Sequence, residues 1–207
     1  WMKVKSLTDL TPLTSWTNGQ LNPAYYQDYA TYFVKWVQAF KAEGIDIYAV
    51  TPQNEPLNRG NSASLYMSWE EQRDFVKTAL GPQFAAAGLS TKIYAYDHNY
   101  DYSNIESEKN YPGKMYEDGE ASQYLAGAAY HNYGGDREEL LNIHKAYPDK
   151  ELLFTETSIG TWNSGSDLSK RLLEDMKEVA FGTINKWCKG VIVWNLMLDN
   201  DRAPNRE

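Results

Sequence analysis

Two glutamates stand where apolar runs of the sequence stop, and both could take part in acid–base or nucleophilic chemistry. Glu55 lies in TPQNEP at 51–56, after the apolar run 45–50, and Glu156 follows LLF at 152–154. In a barrel of parallel strands, catalytic groups lie at the carboxyl ends of the strands. Glycoside hydrolysis needs two such carboxylates, one as proton donor and one as nucleophile or base. A single glutamate at a strand end could equally be an ordinary surface charge. A pair of them at the ends of two strands is less easily explained as surface charges.

Composition excludes several partner classes. The chain has 207 residues, enough for one sizeable core and one domain, and carries a net charge of −8. This acidic balance argues against nucleic acid and anionic membrane surfaces, which need a basic surplus. No apolar run approaches the ~18 residues of a membrane span. Aromatic residues make up 14% of the chain, and those not used in the core suit stacking on sugar faces.

Cysteine and histidine usage predicts neither a metal nor a cofactor. The chain has one cysteine and three histidines, without metal-ligand spacing. Cys188 cannot form an internal disulfide, and its place at the end of an apolar helical run predicts a buried thiol. The sequence opens at Trp1 with no recognisable leader, so a signal peptide could be missing from it.

Helices and strands alternate along the predicted chain. Asn22 and Pro23 are typical of a helix start, and SWEE at 68–71 predicts a capping box. The predicted elements are a helix between 22 and 44, a strand at 45–51, a helix from 68 to about 87, a strand at 92–96, a polar loop from 97 to about 119, a short helix near 120–126, a strand around 128–131, a helix at 136–147, a strand at 151–155, a helix at 167–188 and a strand at 191–194.

This alternation predicts a parallel sheet, in either a doubly wound fold or a barrel. A doubly wound sheet usually carries a glycine-rich turn after one strand, and none is present here. Polar groups instead end four of the five strands (Asn54 with Glu55, Asp97 with His98, His131, and Glu156), and Trp194-Asn195 ends the fifth. This distribution favours a partial (β/α)8 TIM barrel with five parallel strands. A closed barrel has eight strands, so an open five-stranded piece leaves an uncovered edge and is expected to be unstable alone.

The motifs at these strand ends resemble family 30 of the glycoside hydrolases. They are Asn-Glu-Pro at 54–56, His131-x-Tyr133, Thr155-Glu156 and Trp194-Asn195, with further similarity at 1–3, 80–82 and 194–199. The resemblance implies a (β/α)8 barrel joined to a small β-sandwich, and residues 1–207 would then supply strands four to eight. The first three β/α units, with their sugar-binding Arg and Asp, and the sandwich would be absent.

The same resemblance implies a retaining double displacement. Glu55 matches the family acid/base and Glu156 its nucleophile. The negative charge of Glu156 is expected to raise the pKa of Glu55 and keep it protonated. Asn54 would bind the sugar 2-hydroxyl, unless it is only a turn residue.

The remaining site residues are assigned to substrate binding. His131 and Tyr133 would orient the nucleophile, although His131 could be purely structural. Trp194, with the adjoining Asn195, would form a stacking platform, although a tryptophan here could instead fill the core. Trp162 and the aromatic loop 99–116 are candidates for outer subsites.

The expected substrate is an oligo- or polysaccharide, and overall similarity to bacterial members favours β-1,6-glucan. Glucosylceramide and xylan, both substrates in the same family, remain alternatives, although no basic cluster suits an acidic xylan. A catalytically inactive carbohydrate-binding fragment is the alternative from another class. A polymeric substrate suggests secretion or a periplasmic location, while exo or endo action and oligomeric state stay open.

Overall fold

A computed structural model describes residues 2–158 and 167–194 of the chain. Its main sheet has five parallel strands, which lie side by side in the order in which they occur along the chain. The strands are β4 (Ala49–Val50), β5 (Lys92–Asn99), β6 (Leu125–His131), β7 (Glu151–Glu156) and β8 (Cys188–Val191). Helices separate the strands along the chain. The sheet forms a curled half-barrel, and the predicted partial (β/α)8 barrel with five parallel strands is thereby confirmed.

A small antiparallel sheet that the sequence did not predict precedes the half-barrel. It comprises β1 (Lys3–Ser6), β2 (Asp9–Pro12) and β3 (Gln20–Leu21), in the order β2-β1-β3. These strands are short, and β2 is exposed along its whole length. Such strands lack the apolar alternation from which a half-buried strand is recognised.

Helix α1 (Tyr26–Ala42) follows a short 3₁₀ turn, and the predicted cap is present: the side chain of Asn22 accepts from Ala24 N. The strand predicted at 45–51 is wrong in its first half. Only Ala49 and Val50 pair with β5, while Ile45 and Tyr48 are 51% and 57% exposed. Among the residues that the structure describes, β4 has a hydrogen-bonded neighbour on one side alone, so it forms an open edge of this sheet.

The second predicted helix consists of α2 (Trp69–Phe75) and α3 (Gly81–Ala86), joined by a π-helical turn. The predicted capping box is confirmed, because Ser68 Oγ accepts from Glu71 N and Glu71 Oε2 accepts from Ser68 N. Further along the chain lie α4 (Tyr111–Glu117), α5 (Gly119–Ser122), α6 (Glu138–Ala146), α7 (Leu168–Glu174) and α8 (Phe181–Ile184). Within residues 2–158 and 167–194, no helix has the length and apolarity needed to cross a bilayer.

The aromatic loop predicted at 99–116 is largely part of the core. Tyr100, Tyr102, Tyr111, Met115 and Tyr116 are buried, and α4 packs on β5. Tyr111 Oη donates to the backbone oxygens of residues 67 and 68. The prediction that this loop lines outer sugar subsites is therefore wrong for its buried tyrosines.

The last strand begins earlier than predicted. It runs from Cys188, which is buried and unpaired as expected, to Val191. The predicted range 191–194 falls mostly beyond it, because residues 185–187 turn the chain before the sheet is reached. Trp194 forms an isolated parallel bridge with Ser158.

Candidate active site

Two bulges in neighbouring strands position the polar groups at the carboxyl end of the sheet. Between β5 and β6, Tyr96 pairs with Ala129 and His98 with Tyr130, so Asp97 is the extra residue. Tyr96 and Asp97 both have positive φ angles, of 73° and 74°. A bulge locally re-aims a side chain, and such strained backbone is common at functional sites.

Thr155 is the extra residue of the second bulge. Between β6 and β7, Tyr130 pairs with Phe154, and His131 with Glu156. The hydroxyl of Thr155 donates to Asp97 Oδ1 at 2.6 Å. The two bulges therefore meet through a side-chain hydrogen bond.

Asp97 is a buried carboxylate with three side-chain donors. Thr51 Oγ1 donates to Oδ2 at 2.7 Å, and His131 Nε2 lies 3.0 Å from Oδ1, which also accepts from Thr155. Burial alone would raise the pKa of Asp97, but the hydrogen bonds and the charge of His131 outweigh it and lower the pKa. Asp97 is consequently an anion inside the protein.

Glu55 lies just beyond β4, in a left-handed backbone conformation with φ of 46°. Its amide donates to Asp97 O at 2.9 Å, which ties the loop to the bulge in β5. Oε1 faces His131 Nδ1 at 3.3 Å, and Oε2 accepts from Asn58 Nδ2 and Asn61 Nδ2, both at 2.8 Å. The side chain is thus held on both oxygens, and the residue is 7% exposed.

Glu156, at the end of β7, has a different environment. It is half-buried, and Tyr133 Oη donates to its Oε1 at 3.1 Å. Tyr133 Oη also lies 2.9 Å from Ser158 Oγ, and the Tyr133 amide donates to Asn99 Oδ1. The predicted pairing of Tyr133 with Glu156 is therefore present in the structure.

The two glutamates converge. One carboxylate oxygen of Glu55, one of Glu156 and a ring nitrogen of His131 all lie within 4.8 Å of one another. Both imidazole nitrogens of His131 already face carboxylates, so the cluster fits a hydrogen-bonded acid–base site better than a metal centre.

His131 is the cation of this cluster. Burial would lower its pKa, but the hydrogen bonds to Asp97 and Glu55 and the charge of Asp97 raise it to about 9. At neutral pH both ring nitrogens then carry protons and donate. His131 hydrogen-bonds Glu55 and Asp97, and one of its ring nitrogens also lies within 4.8 Å of a Glu156 oxygen, beside the predicted nucleophile.

The expectation of a raised pKa for Glu55 is wrong. Burial raises the pKa of Glu55, yet the hydrogen bonds from His131 and Asn58 and the charge of His131 outweigh burial and lower it. The pKa of Glu156 is raised instead, first by burial and then by the charges of Glu55 and Asp97. Burial also raises the pKa of Tyr133 to about 12, so its phenol stays a donor at neutral pH.

The remaining predicted residues are less constrained. The side chain of Asn54 is exposed beside Glu55. Trp194 is 57% exposed, so it does not fill the core, and its amide donates to Thr157 O beside Glu156. Asn195 and Trp162 lie outside the described residues.

The sequence does not reveal the contacts of Asp97 with His131 and of Asn58 and Asn61 with Glu55. Asp97 stood at a strand end, which is a usable signal, but nothing in the sequence showed the bulge that turns it toward His131. The two asparagines follow Glu55 by three and six residues in a loop without periodicity. Their contacts with Glu55 depend on loop geometry, which residue spacing does not reveal.

A family model for the glycosyl hydrolase family 30 TIM-barrel domain matches residues 1–206. The chain belongs to this family. The resemblance inferred from the strand-end motifs is thereby confirmed, and the family's barrel fold agrees with the five parallel strands.

Similar proteins include enzymes of two named activities. The endo-1,6-β-D-glucanase of Trichoderma harzianum is 33% identical over 219 residues, covering 99% of this chain and 40% of the relative. The putative glucosylceramidase 4 of Caenorhabditis elegans is 29% identical over 204 residues, covering 90% and 37%. A solved endo-β1,6-glucanase is 89% identical with a TM-score of 0.96, covering 100% of this chain and 45% of that one. The chain thus spans less than half the length of these family 30 relatives.

Proposed function

We propose that the chain provides the catalytic glutamates of a retaining β-glycosidase that hydrolyses β-1,6-glucan. The observation that carries this proposal is the convergence of Glu55 and Glu156 to within 4.8 Å, oxygen to oxygen. Retaining enzymes hold their carboxyl groups about 5–5.5 Å apart, whereas inverting enzymes leave roughly 6.5–9.5 Å for a water molecule. The short separation supports double displacement.

In the first step Glu156 attacks the anomeric carbon and Glu55 protonates the departing oxygen. Tyr133 would hold the attacking carboxylate in place through its hydrogen bond to Oε1. In the second step Glu55 removes a proton from the water that resolves the glycosyl-enzyme. Asn54 would hydrogen-bond the 2-hydroxyl, and Trp194 with Asn195 would bind the sugar ring.

The choice of β-1,6-glucan rests on similarity. The solved endo-β1,6-glucanase is 89% identical to this chain, whereas the glucosylceramidases are 26–29% identical. Similarity therefore supports β-1,6-glucan as the substrate more strongly than glucosylceramide. Solved family 30 xylanases at 19–21% identity share the fold alone. Glucosylceramide, xylan and mere carbohydrate binding are therefore alternative outcomes of the test.

We also propose that residues 1–207 form the C-terminal part of the barrel, with the first three β/α units and a β-sandwich supplied by sequence outside this range. A polymeric substrate is met outside the cytoplasm, so we propose a secreted or periplasmic enzyme. Fractionation of the source cells, with the activity followed in each fraction, tests this location.

The experiment uses a complete barrel in which this chain replaces the matching 45% of the 89%-identical endo-β1,6-glucanase, called here the chimeric barrel. Glu156→Gln should abolish turnover of β-1,6-glucan, and azide should restore activity to Glu156→Ala by forming a glycosyl azide of inverted configuration. Glu43→Gln, a change on the exposed surface after α1, is the matched control.

Near-normal activity of Glu156→Gln would remove Glu156 from the nucleophile role. Turnover of glucosylceramide or xylan in preference to β-1,6-glucan would overturn the substrate. Binding of glucan without any turnover by the chimeric barrel would favour the carbohydrate-binding alternative.

A further inference from the structure

We propose that Asn58 and Asn61 reserve Oε1 of Glu55 for the catalytic proton, which His131 supplies and takes back. Asn58 and Asn61 are positioning residues, His131 exchanges the proton with Glu55, and the inference rests on the acid/base role proposed for Glu55. On this proposal the loop after β4 determines which carboxyl oxygen of Glu55 acts on the substrate.

The orientation of the two asparagine side chains follows from their backbone contacts. Asn58 Oδ1 accepts from Gly60 N at 3.1 Å, and Asn61 Oδ1 accepts from Ser62 N at 2.8 Å. Each amide oxygen is therefore engaged, and each Nδ2 is directed to Glu55 Oε2.

Two amide donors at 2.8 Å occupy both lone pairs of Oε2. A proton on Oε2 would have to displace one amide and would meet the N–H of the other. Oε1, in contrast, faces a single ring nitrogen, His131 Nδ1, at 3.3 Å. Glu55 can thus become neutral at Oε1 with its bonds to Asn58 and Asn61 intact.

His131 can provide that proton without leaving its place. Its Nδ1–H bond breaks with the electron pair staying on nitrogen, and an Oε1–H bond forms on Glu55. The hydrogen bond then runs in the opposite direction, from Oε1–H to Nδ1, while Nε2–H still donates to Asp97. Oε1 passes the proton to the glycosidic oxygen as its bond to the anomeric carbon breaks. In the second step the proton from water returns through Oε1 to Nδ1.

The charges around Glu55 agree with an ionised resting state. Among the described residues, the charged groups near Glu55 or its partner His131 are Asp97 and Glu156, and the neutral titratable groups that interact with them include His98, Tyr96 and Tyr133. Burial lowers the pKa of His98 to about 4, so it is neutral and cannot serve as the proton source at neutral pH. His131 is then the protonated group in contact with Glu55.

Carbon-13 NMR of the Glu55 carboxyl tests the assignment without any turnover. The signal is identified by its loss in Glu55→Gln, and its titration is followed in the chimeric barrel. Removing a donor to the ionised form should raise the pKa of Glu55 in Asn58→Ala and in Asn61→Ala. Asn142→Ala, which removes an amide donor to Glu139 on α6, should leave it unchanged.

The pH profile supplies the functional counterpart. In both Ala variants the alkaline limb of kcat/KM should move to higher pH, and kcat at the optimum should fall about tenfold because the proton is no longer confined to Oε1. If the Ala variants do not fold, Asn58→Asp and Asn61→Asp keep the side-chain shape and should raise the pKa of Glu55 by placing a like charge beside it.

An unchanged Glu55 titration in all the folded Asn58 and Asn61 variants overturns the proposal. That result would leave the function itself standing if Glu55→Gln is inactive. Full activity of Glu55→Gln would instead overturn the acid/base role, whatever the titrations show.

Discussion

Replacing Asp97 by Asn removes one buried negative charge while keeping the side-chain shape. In the native site the hydrogen bonds to Asp97 and Glu55 and the charges of Asp97 and Glu156 raise the pKa of His131 to about 9, against an ordinary value of 6.5. Burial acts in the opposite direction, so without the Asp97 charge the pKa of His131 should fall by more than one unit. Nitrogen-15 NMR of the imidazole in the chimeric barrel measures it directly, with the exposed Asp136→Asn as control.

The same change should alter the pH dependence of stability. A histidine whose pKa is higher in the folded state stabilises the fold fully below 6.5, and this contribution is lost as pH rises through 9. The difference of 9 − 6.5 = 2.5 units corresponds to about 3 kcal/mol in the free energy of unfolding. Urea unfolding from pH 6 to pH 10 should show this loss in the native protein and much less of it in Asp97→Asn. An equal loss in both proteins, or a His131 pKa unchanged by the substitution, would refute this explanation of the site's charge.

Three further predictions concern the nucleophile, the sheet and the exposed faces. Tyr133→Phe removes the donor to Glu156 Oε1 and should lower kcat roughly 10- to 100-fold with a smaller effect on KM; steady-state kinetics decide, and unchanged kcat contradicts the orienting role. Gly127→Ala would place a Cβ 1.9 Å from Glu151 O and should lower the free energy of unfolding, measured in urea, by about 3 kcal/mol. The control Gly119→Ala, whose Cβ would meet no atom within 4 Å, should change the stability little. Equal effects of the two substitutions would contradict the register of β6 on β7. The chain by itself exposes large apolar side chains beyond both edge strands, such as Tyr48 and Ile192, so it should bind the dye ANS strongly and the chimeric barrel should not; equal dye fluorescence would count against these faces being covered in the full barrel.

Much of the architecture could be predicted because strands and helices here carry strong local signals. The capping box at Ser68 and the Asn22 cap mark helix starts by side-chain chemistry alone. The runs before Glu55 and Glu156 placed both carboxylates at one end of a sheet, and the structure brings them together there.

The failures have physical causes. The apolar run 45–50 reads as a strand, but only its last two residues pair with β5, and the rest lies at an open edge. The tyrosines between 99 and 116 suit sugar stacking by residue type, but they are buried, because tertiary packing leaves no mark in a polar loop sequence.

The pKa shifts of the site residues could not be predicted from the sequence either. Counting one neighbouring carboxylate predicted a raised pKa for Glu55, but the outcome depends on donors from distant residues. His131 is 76 positions away, and its own charge depends on Asp97, which only a bulge directs toward it. Such contacts are properties of the folded backbone.

The central claim is that Glu156 forms a covalent bond to the sugar while Glu55 handles the proton. The direct measurement is mass spectrometry of peptides from the chimeric barrel after reaction with a 2-deoxy-2-fluoro-β-glucoside carrying an activated leaving group, which slows hydrolysis of the glycosyl-enzyme. The account predicts a fluorosugar attached to Glu156. A label on Glu55, or turnover of this reagent that releases an inverted product without labelling the protein, would contradict it.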